Sequence, residues 1–344
     1  MSRRLAPSLA ALILTLSSTM GARAGGNLMI YTWTDYTAPA LVAKFEKETG
    51  IKVSIDTFDT NETLLAKLKA GTTGYDIIIG SSDFIPIFID AHLIQPIDAS
   101  TWPDYKNIEA RWRSPAWDKG NVYTVPFGWG VTSYVINTKF IKAPTDSLKV
   151  LFDPPPEARG KVGMFGAPTE VVSMAEVYLG LPRCETDIAA MKKVAALLEA
   201  QAPSVKVYGS DGVVDRAASG ETWIQQTWNG DAARARAVNP DLRFIFPKEG
   251  AVAWMDNMAI PVGAPDPDNA KRFMQFMLKP ENAALSTNFT HSTSPIAGVE
   301  PYLDDALRTA PEYKVPPDLK LTFSPPCSEQ AIGLIDRVWT RLRR

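Results

Sequence analysis

Leu28-Met29-Ile30-Tyr31-Thr32-Trp33-Thr34-Asp35-Tyr36 is an apolar run that opens into a loop of aromatic rings and a carboxylate, just before a helix-like segment near Thr37. The run reads as a strand over 28–33. Residues 37–48 follow as an amphipathic helix with Leu41, Val42 and Phe45 on one face and Gly50 as its stop. The same alternation continues outward. Residues 52–58 alternate Val53, Ile55 and Thr57 on one side, as a strand does. Residues 61–70 form a helix with Asn61 near its start, Leu64, Leu65 and Leu68 on its apolar face, and Gly71 beyond. Residues 75–79 are a short apolar run of the buried parallel-strand kind. This β-α-β-α-β order predicts a doubly wound α/β sheet. Ligands of such sheets bind outside the carboxyl ends of the strands, where Trp33, Asp35 and Tyr36 fall. An aromatic face beside a carboxylate suits an organic cation with an apolar body. The same rings read equally well as core or loop packing.

Farther along, 122–127 and 131–137 are two extended runs separated by Gly128-Trp129-Gly130, and a Pro-rich passage at 153–156 leads into a second α/β series. There 161–165, 206–208 and 223–228 read as strands. Residues 170–179, 187–200, 213–218 and 231–237 read as helices. An extended stretch at 251–261, a helix at 268–278 and a closing helix at 329–342 complete the pattern.

Met1 to Ala24 has the form of a secretory signal, with Arg3 and Arg4 before an apolar run and Ala22-Arg23-Ala24 as the cleavage site. Cleavage after Ala24 is expected to leave an exported, soluble chain. The run is too short and too interrupted for a membrane span, and no Cys follows it for lipid attachment. Losing Arg3, Arg4 and Arg23 takes Lys+Arg from 36 to 33 against 38 acids, a net charge of about −5. That balance excludes the basic footprint of a nucleic-acid binder. The roughly 320 remaining residues predict two lobes and not one core. Cys184 and Cys327 are the two cysteines, and in an oxidising compartment a disulfide is the leading reading. Spacing alone does not bring the sulfurs together. Neither has a second Cys or His at metal-ligand spacing, and no cofactor motif is present.

Several ordered motifs carry a resemblance. They are Tyr31-Thr32-Trp33-Thr34-Asp35-Tyr36, Phe45-Glu46-Lys47-Glu48-Thr49-Gly50-Ile51-Lys52-Val53, Asn61-Glu62-Thr63, Tyr75-Asp76-Ile77, Trp228-Asn229-Gly230-Asp231, Pro247-Lys248-Glu249-Gly250 and Trp254-Met255-Asp256-Asn257-Met258-Ala259-Ile260-Pro261. In their order and spacing the chain resembles the periplasmic spermidine/putrescine-binding proteins, solute-binding components of polyamine ABC importers. The resemblance implies a two-lobe type II periplasmic-binding-protein fold, with α/β lobes, a hinge of crossing strands and the ligand in the interlobe cleft. It implies a first lobe of 27–134 and 255–300 and a second of 138–253 and 305–344, which puts both cysteines in the second. It also implies a monomer in the periplasm, a small cationic ligand and an inner-membrane permease as partner.

By the same resemblance Trp33, Thr34, Asp35 and Tyr36 are first-loop contacts and Ser81 is the site serine after the third strand, while Asp83 stands where relatives carry Tyr or Ser, an acid moved to the other lobe. Glu170 is the acid that opens a second-lobe helix. Trp228 with Asp231, and Trp254 with Asp256, are the remaining aromatic-acid pairs. Asp231 stands where the putrescine-preferring branch has Asp, so putrescine is the expected ligand, with spermidine as a further one. Ala167 and Gly166 stand where relatives carry a second acid, and His291 falls about where a site Tyr is expected; both departures bear on ligand length.

The residues also carry readings of their own. Asp256 in an apolar run is poorly suited to plain core, because a buried acid needs a partner. Glu170 serves equally as a helix-dipole acid, Asp231 and Ser81 as caps, and Asp35 as a solvated rim acid. An enzyme has little support: the G-x-S-x-G elbow is absent, and of the two imidazoles His92 reads as a packed helix-end residue. Glu170 and Asp256 as a glycosidase couple is the remote hydrolase alternative. A binding protein for an ω-amino acid such as 4-aminobutyrate, or for an opine-like amine, would need an arginine fork. Arg216, Arg234 and Arg236 lie near second-lobe loops, with surface use as their default.

Overall fold

The structure is a computed structural model that describes residues 25–71, 74–142 and 145–343. The signal segment 1–24 lies outside the described residues. Ten strands form one continuous sheet: β1 (Gly26–Trp33), β2 (Ile51–Phe58), β3 (Ile77–Ser81), β4 (Thr124–Asn137), β5 (Val162–Met164), β6 (Val205–Tyr208), β7 (Ile224–Trp228), β8 (Leu242–Ile245), β9 (Ala251–Ala259) and β10 (Leu321–Phe323). Their order is β2-β1-β3-β9-β4-β7-β5-β6, with β8 on β4 and β10 on β9.

The opening β-α-β-α-β unit forms where periodicity puts it. Helix Pro39–Thr49 buries Leu41 and Phe45, and Gly50 ends it in the left-handed region (φ 76°), returning its N–H to Glu46. Phe45 meets Phe273 and Phe276 edge-on, which closes one face of the sheet. Helix Asn61–Lys69 is capped by Thr60, whose hydroxyl accepts from the Thr63 N–H. Asn61 is the first helical residue, and its side chain accepts from the Ser81 N–H at 3.2 Å.

The strand expected to break at Gly128-Trp129-Gly130 does not break. β4 runs fourteen residues without interruption and every one of them is buried. The glycines mark close approach. A Cβ on Gly128 would lie 2.8 Å from the Ser292 hydroxyl, and one on Gly130 would lie 2.4 Å from the Trp254 indole. β4 is the long crossing element. Its first part pairs antiparallel with β9, which in turn pairs with β3, and its second part pairs with β7 and β8. The sheet thus has two halves joined through β4 and β9.

In the second half, helices Pro168–Tyr178, Ile188–Gln201 and Glu329–Leu342 pack on one another. Cys184 and Cys327 are bonded, with Cα atoms 5.2 Å apart, which ties the loop after Pro168–Tyr178 to the lead-in of the last helix. β10 lies just before that anchor. Its Phe323 packs on Trp112 and Trp117 from the other half, so this segment touches both halves. His92, read as packed, is exposed instead: it takes a left-handed φ of 53° just past helix Ile85–Asp90. No helix of the described residues is long and apolar enough to cross a membrane.

Candidate functional site

Asp256 sits on β9 opposite Ser81 of β3 on one side and Gly128 of β4 on the other. Side chains alternate along a strand, so Trp254 and Asp256 share a face while Met255 turns into the core. The Asp256 carboxyl is 6 % exposed. It accepts from the Tyr36 hydroxyl at 2.6 Å and from the Ser81 hydroxyl at 2.8 Å. Burial pushes its pKa up to about 6; the Tyr36 and Ser81 hydrogen bonds and the neighbouring Trp33 indole oppose that rise. Tyr36 is held well above its ordinary value, by burial first and by the Asp256 charge second. This cluster is a desolvated carboxylate with two neutral donors and no bonded cation.

Aromatic faces surround it. Trp33, at the end of β1, rests on Phe58 with ring centres 4.5 Å apart. Trp254 lies over Gly130, and Asn229 holds that crossing by accepting from the Val131 N–H at 3.1 Å. Trp228, at the end of β7 and paired with Thr132, stacks on Phe165 at 4.4 Å. Trp33 and Trp228 therefore stand at strand ends, and Trp254 lies within β9 where it pairs with β4.

Two further carboxylates face the same space. Asp83 follows β3; burial pushes its pKa up to about 6, Arg183 opposes the rise, and Glu170 and Asp256 reinforce it. Glu170 stands in the first turn of helix Pro168–Tyr178, accepts weakly from Thr132 at 3.4 Å, and is also raised by burial. Gln226 fixes that turn by donating to the Glu170 carbonyl. Asp83 and Glu170 come from opposite halves of the sheet, so the structure brings acids together across the crossing.

The remaining expected residues are placed differently. Thr34 and Asp35 are exposed, and Asp35 has a left-handed φ of 54°. Asp231 lies in the first turn of helix Asn229–Val238 and is paired with Arg234 three residues on. Burial still raises Asp231, and the nearby His291 is lowered by burial and by Arg234.

Reading the sequence missed Ser292, whose hydroxyl bonds Thr290 at 2.7 Å and crowds Gly128, and Arg183, which turns inward from the disulfide loop. Only the glycines of 128–130 signalled the first. The neighbouring Cys184 was the one available hint of the second.

Comparison with known proteins agrees with this architecture. Residues 40–315 match the family model described as bacterial extracellular solute-binding protein. The chain is 30 % identical to the putrescine-binding periplasmic protein SpuD of Pseudomonas aeruginosa, over 100 % of this chain and 99 % of that one. It is 34 % identical to the spermidine/putrescine-binding periplasmic protein of Salmonella typhimurium, over 74 % of each. Among solved structures, a putative spermidine/putrescine ABC transporter from Listeria monocytogenes superposes with a TM-score of 0.83 at 31 % identity, covering 92 % of this chain and 98 % of that one. A mixed α/β sheet with two crossing strands, the fold of these periplasmic binding proteins, and matches along most of its length lead to one conclusion: this chain belongs to the spermidine/putrescine-binding family of ABC-transporter solute-binding proteins.

Proposed function

We propose that this protein captures a polyamine, putrescine foremost, and delivers it to the permease of an inner-membrane ABC importer. It does so as a periplasmic monomer after cleavage behind Ala24. The observation that carries the reading is Asp256, a buried carboxylate bonded only by hydroxyls and flanked by indoles, with Asp83 and Glu170 nearby. A buried charge needs a compensating partner, and a protonated amine supplies one.

In this reading the lobes are 27–134 with 255–300 and 138–253 with 305–344. One ammonium seats at Asp256 and the other toward Glu170 and Asp83. Trp33, Trp228 and Trp254 cover the methylenes, at ~0.8 kcal/mol per buried CH₂, and cation–π contact adds ~0.5–2 kcal/mol per site. Without ligand the acids repel across the cleft and favour the open form, and the dication shifts the population to the closed one. Thr34 and Asp35 sit at the rim, and Asp231 tunes the far loop through Arg234.

Calorimetry with putrescine, spermidine, cadaverine, agmatine and 4-aminobutyrate tests the assignment. The expected result is heat with putrescine and none with 4-aminobutyrate. Repeating the putrescine titration across pH adds a check. Asp83 and Asp256 are both raised to about 6, so the ligand-free protein takes up protons as pH falls through that value. Ammonium binding selects the ionised forms. Affinity is therefore full above about pH 7 and falls below 6, by roughly tenfold per pH unit for each carboxylate that must release a proton. An affinity flat from pH 7.5 to 5 would contradict that role for both acids.

A second reading, a ligand with an acceptor end such as 4-aminobutyrate, has one observation in its favour. The Trp254 indole N–H and two Arg183 donors are buried with no acceptor within hydrogen-bond distance among the described residues. Heat with 4-aminobutyrate alone would establish it.

A further inference from the structure

We propose that Arg183 is a resident cation of the ligand cleft: its guanidinium takes the place of one further ligand ammonium, so the site accepts a diamine and rejects a triamine. The inference rests on the polyamine reading above and names the ligand class within it.

Arg183 belongs to the loop after helix Pro168–Tyr178, yet its side chain is only 7 % exposed. Four groups hold or face it. Nη2 donates to the Ser324 hydroxyl. Nε lies 3.6 Å from Glu176, whose side chain is 1 % exposed. Glu170 and Asp83, from opposite halves of the sheet, both exert their charge on it. The anchor is covalent in part, because Cys184 adjoins Arg183 and its disulfide partner Cys327 lies three residues beyond Ser324. The bond holds together the two backbone segments that carry Arg183 and Ser324.

A purely structural buried arginine has its donors satisfied. Here Nε and Nη1 are buried with no acceptor within hydrogen-bond distance among the described residues. The charge is therefore ion-paired with Glu176 at 3.6 Å, with Nη1 left uncommitted and Glu170 and Asp83 acting on it. Three carboxylates, Glu170, Glu176 and Asp83, act on this cation, and Asp256 acts in turn on Asp83. Two ammonium groups can be matched by Asp256 at one end and by Glu170 with Asp83 at the other. A third would have to sit beside the guanidinium, where like charges repel in a poorly solvated space.

The test is calorimetry of putrescine and spermidine with the full mature chain, as wild type, Arg183→Gln, Arg183→Lys and Ser324→Ala, each checked for folding by circular dichroism and thermal melting. Wild type is expected to prefer putrescine by tenfold or more. Arg183→Gln should gain spermidine affinity relative to putrescine by tenfold or more, so that the preference for the diamine narrows or reverses. Arg183→Lys keeps the charge and should keep the preference. Ser324→Ala loosens the guanidinium without removing it and should erode the preference severalfold, which tests the idea even if Arg183→Gln does not fold. A folded Arg183→Gln or Ser324→Ala protein with the wild-type preference overturns the inference and leaves the polyamine reading standing. Loss of putrescine binding in folded Arg183→Gln also overturns it, in favour of Arg183 as a direct ligand contact. Wild type that binds neither amine overturns the polyamine reading, and this inference with it.

Discussion

Asp256→Asn is expected to weaken putrescine binding by about 3–5 kcal/mol, the usual cost of removing one partner of a buried charge pair. That corresponds to a loss of between about a hundredfold and a few thousandfold in Kd. The substitution keeps the size of the side chain, and the Tyr36 and Ser81 hydroxyls that now donate to the carboxylate can each rotate to suit an amide. The site therefore keeps its shape and loses only its charge. Stability of the ligand-free protein should move the other way. A carboxyl raised to about 6 in the folded state destabilises that state once pH exceeds its unfolded value near 4, and fully above 6. An amide at this position does not titrate, so the unliganded variant should melt above wild type at pH 7.5 and lose that advantage as pH falls toward 4. Calorimetry and thermal melts of the same preparation check both statements. Unchanged affinity would take Asp256 out of the site.

Replacing both Cys184 and Cys327 by serine should lower stability by up to about 5 kcal/mol, since the bond spans 143 residues of sequence and long loops cost the unfolded chain most. Measured losses for native disulfides fall at about 2–5 kcal/mol, which for a chain of this size means a drop in Tm on the order of 3–8 °C. The loss should also be local. The bond joins the loop carrying Arg183 to the lead-in of helix Glu329–Leu342, so hydrogen exchange should rise first at 181–186 and 320–330. An oxidised wild type and a double-serine variant with equal melting temperatures would show that the bond contributes nothing.

The fold was legible wherever burial writes a period into the chain. Leu41 and Phe45 with Gly50, Leu64 and Leu68, and the amphipathic stretch Glu329–Leu342 each lie where spacing put them. β4 was misread because a glycine is silent about its cause: Gly128 and Gly130 looked like a break, but they make room for side chains from Tyr36, Ser292, Trp254 and Asn229. Asp256 could be singled out because an acid between apolar residues needs a reason. Asp35 already read as a solvated rim acid as well as a contact, whereas Thr34 looked equivalent to its neighbours in the first loop; both are exposed. Asp231 carried its own warning in Arg234, one helical turn on. Arg183 had only the neighbouring Cys184 as a hint, because its role depends on Glu170, Glu176, Asp83 and Ser324, which are far from one another in sequence or turn the same way only in three dimensions.

The most direct measurement is a crystal structure with putrescine bound. One ammonium should lie about 2.7–2.9 Å from the Asp256 carboxylate, the methylenes between the Trp33 and Trp254 faces, and the second nitrogen toward Glu170 and Asp83. Putrescine seated elsewhere, with Asp256 still bonded only to Tyr36 and Ser81, would contradict the account.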